Sequence, residues 1–453
     1  MFNSSQGLRA ALSYSLFDAL AHRRSRRISK GIKSVPAGTL SYTSDQPPQP
    51  LSALEEAVLI AATGTTGITL PDRPFQDANG NPILGAPNLN MIGRSAGSPD
   101  NAQATHFFLI NDEGVYYLQK SDSPLTWPPT PEDLVARAAK SKRLVRKGRP
   151  AWPRQFPYYL DSNRFLSNVP GSTILFPVVD LTRQYINALM YLLTEEAGNR
   201  PMFVDDRNFY LPAGVHKWKK SGFVNPAIKL PLGVLGPLRT QIEADLLLQN
   251  LMLVIQAMGL GGWIHASVSP PYMLSNPHMS TAEDRQQGLP FEWATPRLGL
   301  LDLVRWGTFL PKVRAHPVGL KADGDYLIQC LCPPYYTDMA DAVQAVVDTK
   351  FDKQRGIYED RAYFRKAFQG DKGDRYVNEV PHYDPKVIDC VKDVCRYIVH
   401  KHGRFPAHVD AIYVPGVWIE VHHLDLRYYD TLFVNGYTQT HKQHEELWHG
   451  GGP

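Results

Sequence analysis

An R-R-S-x-R pattern near the start of the chain places three arginines and a serine at Arg23, Arg24, Ser25 and Arg27. Guanidinium groups bind phosphate through paired hydrogen bonds, and a serine hydroxyl can add another. The cluster also directly follows a helical stretch, so it equally fits a solvated basic helix end that interacts favourably with the helix dipole. The residues alone leave both interpretations open.

Two segments of small residues could bring the backbone close to a flat ligand. Ser95-Ala96-Gly97 precedes a predicted hairpin, and Gly259-Leu260-Gly261-Gly262 leads into Ile264-His265-Ala266. Glycine permits such close approach because it has no side chain. The second segment is not a dinucleotide-binding fingerprint, since that motif has another spacing and opens a helix. The alternatives are an ordinary loop for the first segment and core packing for the second.

Histidines are concentrated at the end of the chain, where neutral imidazole could bind zinc or iron. His441 and His444 are three residues apart, a workable helical spacing, whereas the adjacent His422 and His423 would point to opposite faces of a strand. Structural histidines with satisfied hydrogen bonds are the favoured interpretation, and a metal site is the alternative. The eight histidines are His400, His402, His408, His422, His423, His441, His444 and His449, with Asp410, Asp425 and Glu445 nearby.

A basic run lies within a proline-rich stretch, residues 121–157, that shows no clear apolar period. We expect this stretch to be an insertion on the surface. The run is either a solvated face or a patch that attracts an anionic partner. Its members are Lys140, Lys142, Arg143, Arg146, Lys147 and Arg149.

Helices are expected around these segments. Leucines at positions 8, 12, 16 and 20 predict one amphipathic helix before the arginine cluster. Ser52 and Glu55 form a capping-box pattern that begins a second helix, ending near Gly64. From about Pro237 to Met258 apolar residues cover nearly every face, which predicts a helix buried centrally or at a subunit interface.

Strand signals complete this outline. Residues 106–110 and 115–118 predict a hairpin, and residues 172–179 a short apolar strand. Asp180 would cap a helix running to about Ala197 and ended by Gly198. Residues 263–267 and 326–331 read as strands, and 338–349 as a helix capped by Asp338.

Composition bounds the class of protein. The 453 residues are 43% apolar and 20% charged, which supports a sizeable core and excludes disorder for most of the chain. The 48 basic and 44 acidic residues give an excess of 4, too small to indicate a nucleic-acid-binding protein. No apolar run reaches the length of about 18 residues that suggests a membrane span. We therefore expect a soluble, cytoplasmic protein.

Four cysteines are too few for a disulfide scaffold in a chain of this length. Cys330 and Cys332 form one pair and Cys390 and Cys395 the other, and neither has C-x-x-C spacing. We expect buried free thiols.

In combination, the motifs resemble the FMN-dependent nitroreductase superfamily. The match consists of Arg23-Arg24-Ser25-Arg26-Arg27, then Leu59-Ile60-Ala61-Ala62, then Gln249-Asn250-Leu251-Met252-Leu253 closed by Gly259-Leu260-Gly261. Ser95-Ala96-Gly97 followed by Gly114-Val115-Tyr116-Tyr117 is most similar to the azoline-oxidising dehydrogenase branch. The resemblance covers about residues 10–350.

This resemblance implies an α+β fold, an antiparallel sheet flanked by helices, that forms a homodimer with FMN between the protomers. It divides the chain into a flavin-binding domain, residues 1–350 with an insertion at about 121–235, and an extension or small second domain, residues 351–453. Arg23, Arg24, Ser25 and Arg27 would hold the FMN phosphate and ribityl chain. Ser95, Ala96 and Gly97 would border the ring, and Ile264, His265 and Ala266 would run along its other edge, where a backbone N–H reaches N5.

The implied activity is hydride transfer from NAD(P)H or an organic donor to a small organic acceptor of the nitro, quinone or azoline kind. FMN would carry most of this chemistry, and neither nucleic acid nor a membrane is an expected partner. Two alternatives stay open. One is a flavin-binding protein without turnover, and the other is a metal-dependent enzyme or binding module built on the C-terminal histidines.

Overall fold

The computed structural model describes residues 4–32, 35–36, 38–81, 85–121, 123–160, 162–194, 199–235, 238–296 and 314–450. Its helices are α1 Ser4–Ser13, α2 Leu16–His22, α3 Ala53–Ala62, α4 Pro131–Ser141, α5 Thr182–Leu192, α6 His216–Lys220, α7 Leu238–Met258, α8 Pro270–Met273, α9 Ala282–Gln287, α10 Met339–Phe351, α11 Arg361–Ala367, α12 Lys372–Glu379, α13 Pro385–His402, α14 Leu426–Leu432 and α15 Gln439–His449. Its strands are β1 Thr65–Ile68, β2 Ile92–Arg94, β3 Thr105–Ile110, β4 Gly114–Leu118, β5 Lys142–Lys147, β6 Thr173–Asp180, β7 Pro201–Asp205, β8 Leu211–Pro212, β9 Asn225–Pro231, β10 Gly261–His265, β11 Phe291–Ala294, β12 His316–Ala322, β13 Asp325–Gln329, β14 Ile412–Tyr413 and β15 Trp418–His422.

A seven-stranded antiparallel sheet forms the centre of the molecule, in the order β10-β15-β6-β3-β4-β5, with β14 also paired to β6. Side chains of a strand alternate between its two faces. Phe107 and Leu109 of β3 therefore join the apolar cluster under α3 and α7, whereas Phe108 and Ile110 join the cluster under α5 and α13. The protein thus has the predicted α+β fold, a large antiparallel sheet flanked by helices.

Several predicted elements are confirmed. Ser52 and Glu55 form a capping box at the start of α3. The predicted hairpin is β3 and β4, and the predicted apolar strand is β6 at the middle of the sheet. Asp338 caps α10, where its side chain accepts the N–H of Ala340. All four cysteines are buried and free.

The first helix was predicted as one element and is two. The helix α1 ends at Ser13, and α2 begins after Ser15, whose hydroxyl accepts the N–H of Asp18 as an N-cap. The break turns α2 outward, so that Leu16 and Leu20 are 61% and 50% exposed. The four-residue leucine spacing was correct for each helix but does not reveal the cap between them.

Within one chain, the long helix α7 is not buried on all sides, so central burial is only partly realised and the predicted alternative of a subunit interface stays a prediction. In α7, Leu247, Leu251 and Ile255 are buried, but Ile242 and Leu246 remain 52% and 42% exposed. The helix that follows β6 is shorter than expected: α5 ends at Leu192, and the predicted end at Ala197 and Gly198 lies outside the described residues.

Residues 121–157, the expected surface insertion, contain two regular elements of the fold. They supply α4, with Leu134 and Ala138 buried, and β5, which pairs with β4 at one edge of the central sheet. Charged residues suit an edge strand, because they protect its free side from pairing. Basic composition therefore concealed a strand here.

The segment after residue 350 is part of the same sheet. β15 pairs with β10 on one side and with β6 on the other, and α15 packs near α1 and α7. The predicted extension, residues 351–453, therefore contributes a strand to the sheet that residues 1–350 also build. Sequence patterns at residues 418–422 could not reveal that β6, from a much earlier part of the chain, is their partner strand.

Candidate functional site

The arginine cluster lies beside the glycine-rich strand. The backbone N–H of Arg26 donates to the carbonyl of Gly262 over 3.2 Å, which places residues 23–27 along the free side of β10. The guanidinium of Arg27 lies 5.5 Å from the ring centroid of Trp263. Two of the three segments predicted for the flavin site are therefore neighbours in the fold.

Arg26, which occupies the variable fourth position of the R-R-S-x-R motif, anchors this segment. Arg26 is 5% exposed, and its guanidinium donates to Gln256 Oε1 over 3.1 Å and to the carbonyl of Gly436 over 2.9 Å. Burial lowers the pKa of Arg26 from its ordinary value. The motif gave no sign of this role, because its fourth position is variable.

The residues predicted to hold a phosphate are more exposed than Arg26. Arg24, Ser25 and Arg27 are exposed, and Arg23 is half-buried. Arg27 donates to Asn163 Oδ1 over 2.9 Å, and Arg24 donates to the carbonyls of Ala21 and Arg23. These contacts are to neutral acceptors, so the exposed guanidinium groups of Arg24 and Arg27 remain available to an anionic ligand.

β10 presents its backbone to the same side. Residues two apart on a strand direct their N–H and C=O groups the same way. The Gly262 carbonyl points away from β15 towards Arg26, so the N–H of Ile264 also faces the open edge. This is the strand along which the sequence placed a flavin ring edge.

His265 points the other way. Its side chain is buried and stacks on Trp263 with ring centroids 4.0 Å apart, while its Nε2 lies 3.2 Å from Glu420 Oε2. Ser267 donates its backbone N–H to His265 Nδ1, so the remaining proton of a neutral ring is on Nε2. The imidazole therefore faces the core, and a ligand at this edge would meet the backbone of residues 264–266.

Ser95, Ala96 and Gly97 occupy another region. The backbone N–H of Ser95 donates to Gly64, and its carbonyl accepts the side-chain amide of Asn250 over 2.9 Å. All three line a cleft of about 570 Å³ together with Arg73 and Tyr358. A side chain added at Gly97 would meet nothing within 4 Å, so its backbone is open to a ligand.

Within one chain, Ser95-Ala96-Gly97 is not placed beside the arginine segment 23–27 or beside residues 264–266. The lining described for the 570 Å³ cleft contains none of residues 23–27 or 264–266. The arginine segment contacts α7 at Gln256, whereas Ser95 and Ser98 contact it at Asn250 and Glu243. At about 1.5 Å rise per residue, the α7 contacts of Ser95 and of Arg26 are about 9 Å apart.

The C-terminal histidines are placed in two groups of metal-ligating type. His423, His444 and His449 surround Glu55, whereas His408 lies beside Asp205 and Asp206. Sequence analysis missed Glu55 because its capping-box role already explained it. His422 and His423 lie in different environments, as predicted, but His441 is not in either group.

Half of the basic run is ion-paired. Lys142 contacts Glu56, Arg143 lies 3.2 Å from Asp325, and Arg149 lies 2.9 Å from Asp112. Three of its six charges are thus compensated, which weakens the interpretation as an anion-attracting patch.

Comparisons with known proteins add little. No family model matches the chain, and no curated protein matches it. One structural match is a crystal structure from Ralstonia eutropha JMP134 that carries the provisional description of a nitroreductase. It is 16% identical, covers 56% of this chain and 71% of that one, and superposes with a TM-score of 0.24. Separately, none of the helices that the structure describes is long and apolar enough to cross a membrane.

Proposed function

We propose that this protein is an FMN-dependent oxidoreductase of the nitroreductase type. It would transfer hydride from NAD(P)H or an organic donor to a small organic acceptor such as a nitro compound, a quinone or an azoline. The observation that carries the proposal is the hydrogen bond from Arg26 to Gly262. It joins two motifs from distant parts of the chain that the family resemblance assigns to the phosphate end and the ring edge of one flavin.

The residues at this edge fit the chemical groups of FMN. Arg23, Arg24, Ser25 and Arg27 would hold the phosphate and ribityl chain, because exposed guanidinium groups form paired, charge-assisted hydrogen bonds with phosphate oxygens. The N–H of Ile264 is directed outward, where it would donate to ring N5. Bound FMN would supply the hydride chemistry, and the protein would orient the ring and exclude water.

Two copies of the chain would complete the site. The segment Ser95-Ala96-Gly97 lies away from the arginines in one chain, so a partner would have to supply it. Exposed apolar residues on α2 and α7 are suited to such a contact: Leu16, Phe17 and Leu20 on α2, and Ile242 and Leu246 on α7. Phe17 is 81% exposed, which is costly for a side chain of this size unless a partner covers it.

Anaerobic reduction tests the enzymatic part of the proposal. The FMN-loaded full chain should lose its oxidised flavin absorbance on addition of NADPH or NADH, and an added nitro compound or quinone should restore it. Bleaching without reoxidation by any acceptor would contradict the proposed activity. Failure of both nicotinamides, followed by failure of chemically reduced flavin to pass electrons to an acceptor, would favour a flavin-binding protein without turnover.

A further inference from the structure

A glutamate and three histidines meet under the sheet edge, where no part of the proposed flavin chemistry uses them. Glu55 comes from the first turn of α3, His423 follows β15, and His444 and His449 belong to α15. One potential ligand atom from each of the four lies within 4.8 Å of the other three. The side chains of Glu55, His423 and His444 are 0%, 1% and 6% exposed.

The distances resemble those of a tetrahedral site. Glu55 Oε1 lies 2.9 Å from His444 Nε2 and 3.2 Å from His449 Nε2, and Glu55 Oε2 lies 3.6 Å from His423 Nε2. Ligand bonds of about 2.0–2.1 Å in a tetrahedron place neighbouring ligand atoms about 3.3 Å apart. The three rings form a near-regular triangle, with centroids 5.1, 5.1 and 5.6 Å apart.

The hydrogen bonds of His444 point to a cation. Its Nδ1 lies 2.8 Å from the carbonyl of Met258, and a carbonyl only accepts, so Nδ1 carries the proton. In a neutral ring, Nε2 then holds a lone pair directed at the Glu55 carboxylate 2.9 Å away. Two acceptors at this distance repel each other unless a proton or a metal ion lies between them.

His423 provides a second, independent observation. Among the residues that the structure describes, neither of its ring nitrogens has a hydrogen-bond partner, although its side chain is 1% exposed. A buried polar side chain without a partner destabilises the fold, because it loses its hydration and gains no hydrogen bond. One extra proton on His444 would relieve the contact with Glu55 and still leave His423 unsatisfied. A divalent ion would relieve that contact and also engage one ring nitrogen of His423.

The surroundings match those of metal ligands. Metal-bound histidines usually donate their second N–H to a backbone carbonyl or carboxylate, as His444 does to Met258. Glu55 Oε2 accepts the N–H of Ser52 over 2.6 Å, which fixes the carboxylate. Lys30, the nearby cation, is paired with Glu445 at 2.9 Å. A cleft of about 200 Å³ lined by His423, His444 and Glu445 offers a path for entry.

The second group of metal-ligating type does not share these features. Asp205 Oδ2 already accepts from His402, Tyr397 and Asn208. Arg207 donates its Nε–H to His408 Nδ1 over 3.0 Å and brings a positive charge to that group. Asp206 Oδ1 and His408 Nε2 have no hydrogen-bond partner among the described residues, but they lie 2.9 Å apart as an ion pair, and the charge of Arg207 would repel a cation there.

We propose that Glu55, His423, His444 and His449 bind one divalent transition-metal ion of the zinc class, which ties α15 and the end of β15 to α3. Four protein ligands leave no open position for a substrate, so the ion would be structural. The site is independent of the proposed flavin chemistry, and flavin content is not its readout.

The test uses the full chain, stripped with a chelator and titrated with Zn²⁺ against a chromophoric competitor. The wild type should bind one Zn²⁺ per chain and gain thermal stability, and Co²⁺ should give the intense visible bands of tetrahedral coordination. His423→Gln should weaken Zn²⁺ binding by about tenfold or more. His422→Gln, the same change at the adjacent buried histidine, should leave affinity unchanged.

Circular dichroism checks that both variants fold. If His423→Gln does not fold, His449→Gln replaces it, because that side chain is 22% exposed and its substitution disturbs less packing. Weak surface binding only, octahedral Co²⁺ spectra, or equal affinity of the folded histidine variants at positions 422 and 423 would overturn the proposal.

Discussion

His265 and Glu420 form a buried pair at the base of the candidate flavin edge, with 3.2 Å between Nε2 and Oε2 and both side chains no more than 2% exposed. Glu420 also accepts the N–H of Asn168 over 2.8 Å and the hydroxyl of Ser172 over 2.5 Å. The pair links β10 to β15 and to the loop before β6. It therefore holds the strand on which the proposed ligand contacts depend.

Glu420→Gln should destabilise the fold. The amide keeps the shape of the side chain but removes the charge and turns an NH₂ group towards donors. Loss of a charge-assisted hydrogen bond costs about 1.5–3 kcal/mol, and we expect a loss of unfolding free energy in that range at neutral pH. Urea denaturation measures it. The exposed Glu113→Gln is the control, and equal stability of the two variants would contradict the assigned role of Glu420.

The same residue predicts a pH dependence. Burial alone raises the pKa of Glu420, but the contacts from His265, Ser172 and Asn168 outweigh it and lower the pKa from 4.5 to about 2. A folded-state pKa below the unfolded one gives stability that is complete above the unfolded pKa and is lost as the pH falls. The stability difference between wild type and Glu420→Gln should therefore shrink from pH 4.5 towards pH 2. A difference that stays constant over this range would contradict the prediction.

Arg23→Ala and Arg27→Ala should each weaken FMN binding. Each substitution removes charge-assisted hydrogen bonds worth about 1.5–3 kcal/mol, which corresponds to about tenfold or more in affinity. Quenching of FMN fluorescence on titration with the apo-protein measures the dissociation constant. Arg9→Ala, at an exposed position on α1, should bind FMN as the wild type does. Unchanged affinity in both test variants would refute the phosphate assignment.

Phe17→Asp should convert a dimer into a monomer. A carboxylate in an apolar contact loses its hydration without gaining a partner. Light scattering coupled to gel filtration gives the mass in solution. Val434→Asp is the matched control, because this side chain is 93% exposed and lies on neither α2 nor α7. A wild-type monomer, or a dimer that persists in Phe17→Asp, would contradict the proposed interface.

Local signals in the sequence predicted much of the fold. The capping box at Ser52 and Glu55, the turn between β3 and β4, and the apolar period of α7 each act over a short stretch of chain, and each element is present. The position of β15 between β10 and β6 depends on pairing between segments that are far apart in the chain. Alternation within a strand does not specify its partner, so this part could not be predicted.

The candidate flavin and metal sites were also predictable only where the signal was local in the sequence. The arginine motif and the glycine-rich turn were recognisable from their order, and the contact between Arg26 and Gly262 brings them together. The histidine-rich end of the chain suggested a metal, but its carboxylate partner is Glu55 on α3, which belongs to the opposite end of the sequence. A residue with one adequate local explanation gives no sign of a second role.

The FMN content of the folded protein tests the central claim most directly. Full-length protein is incubated with excess FMN, passed over gel filtration and then denatured, and the released flavin is measured by absorbance and mass spectrometry. The account predicts one FMN per chain, released only on denaturation. Folded protein that retains no FMN after this treatment would contradict it.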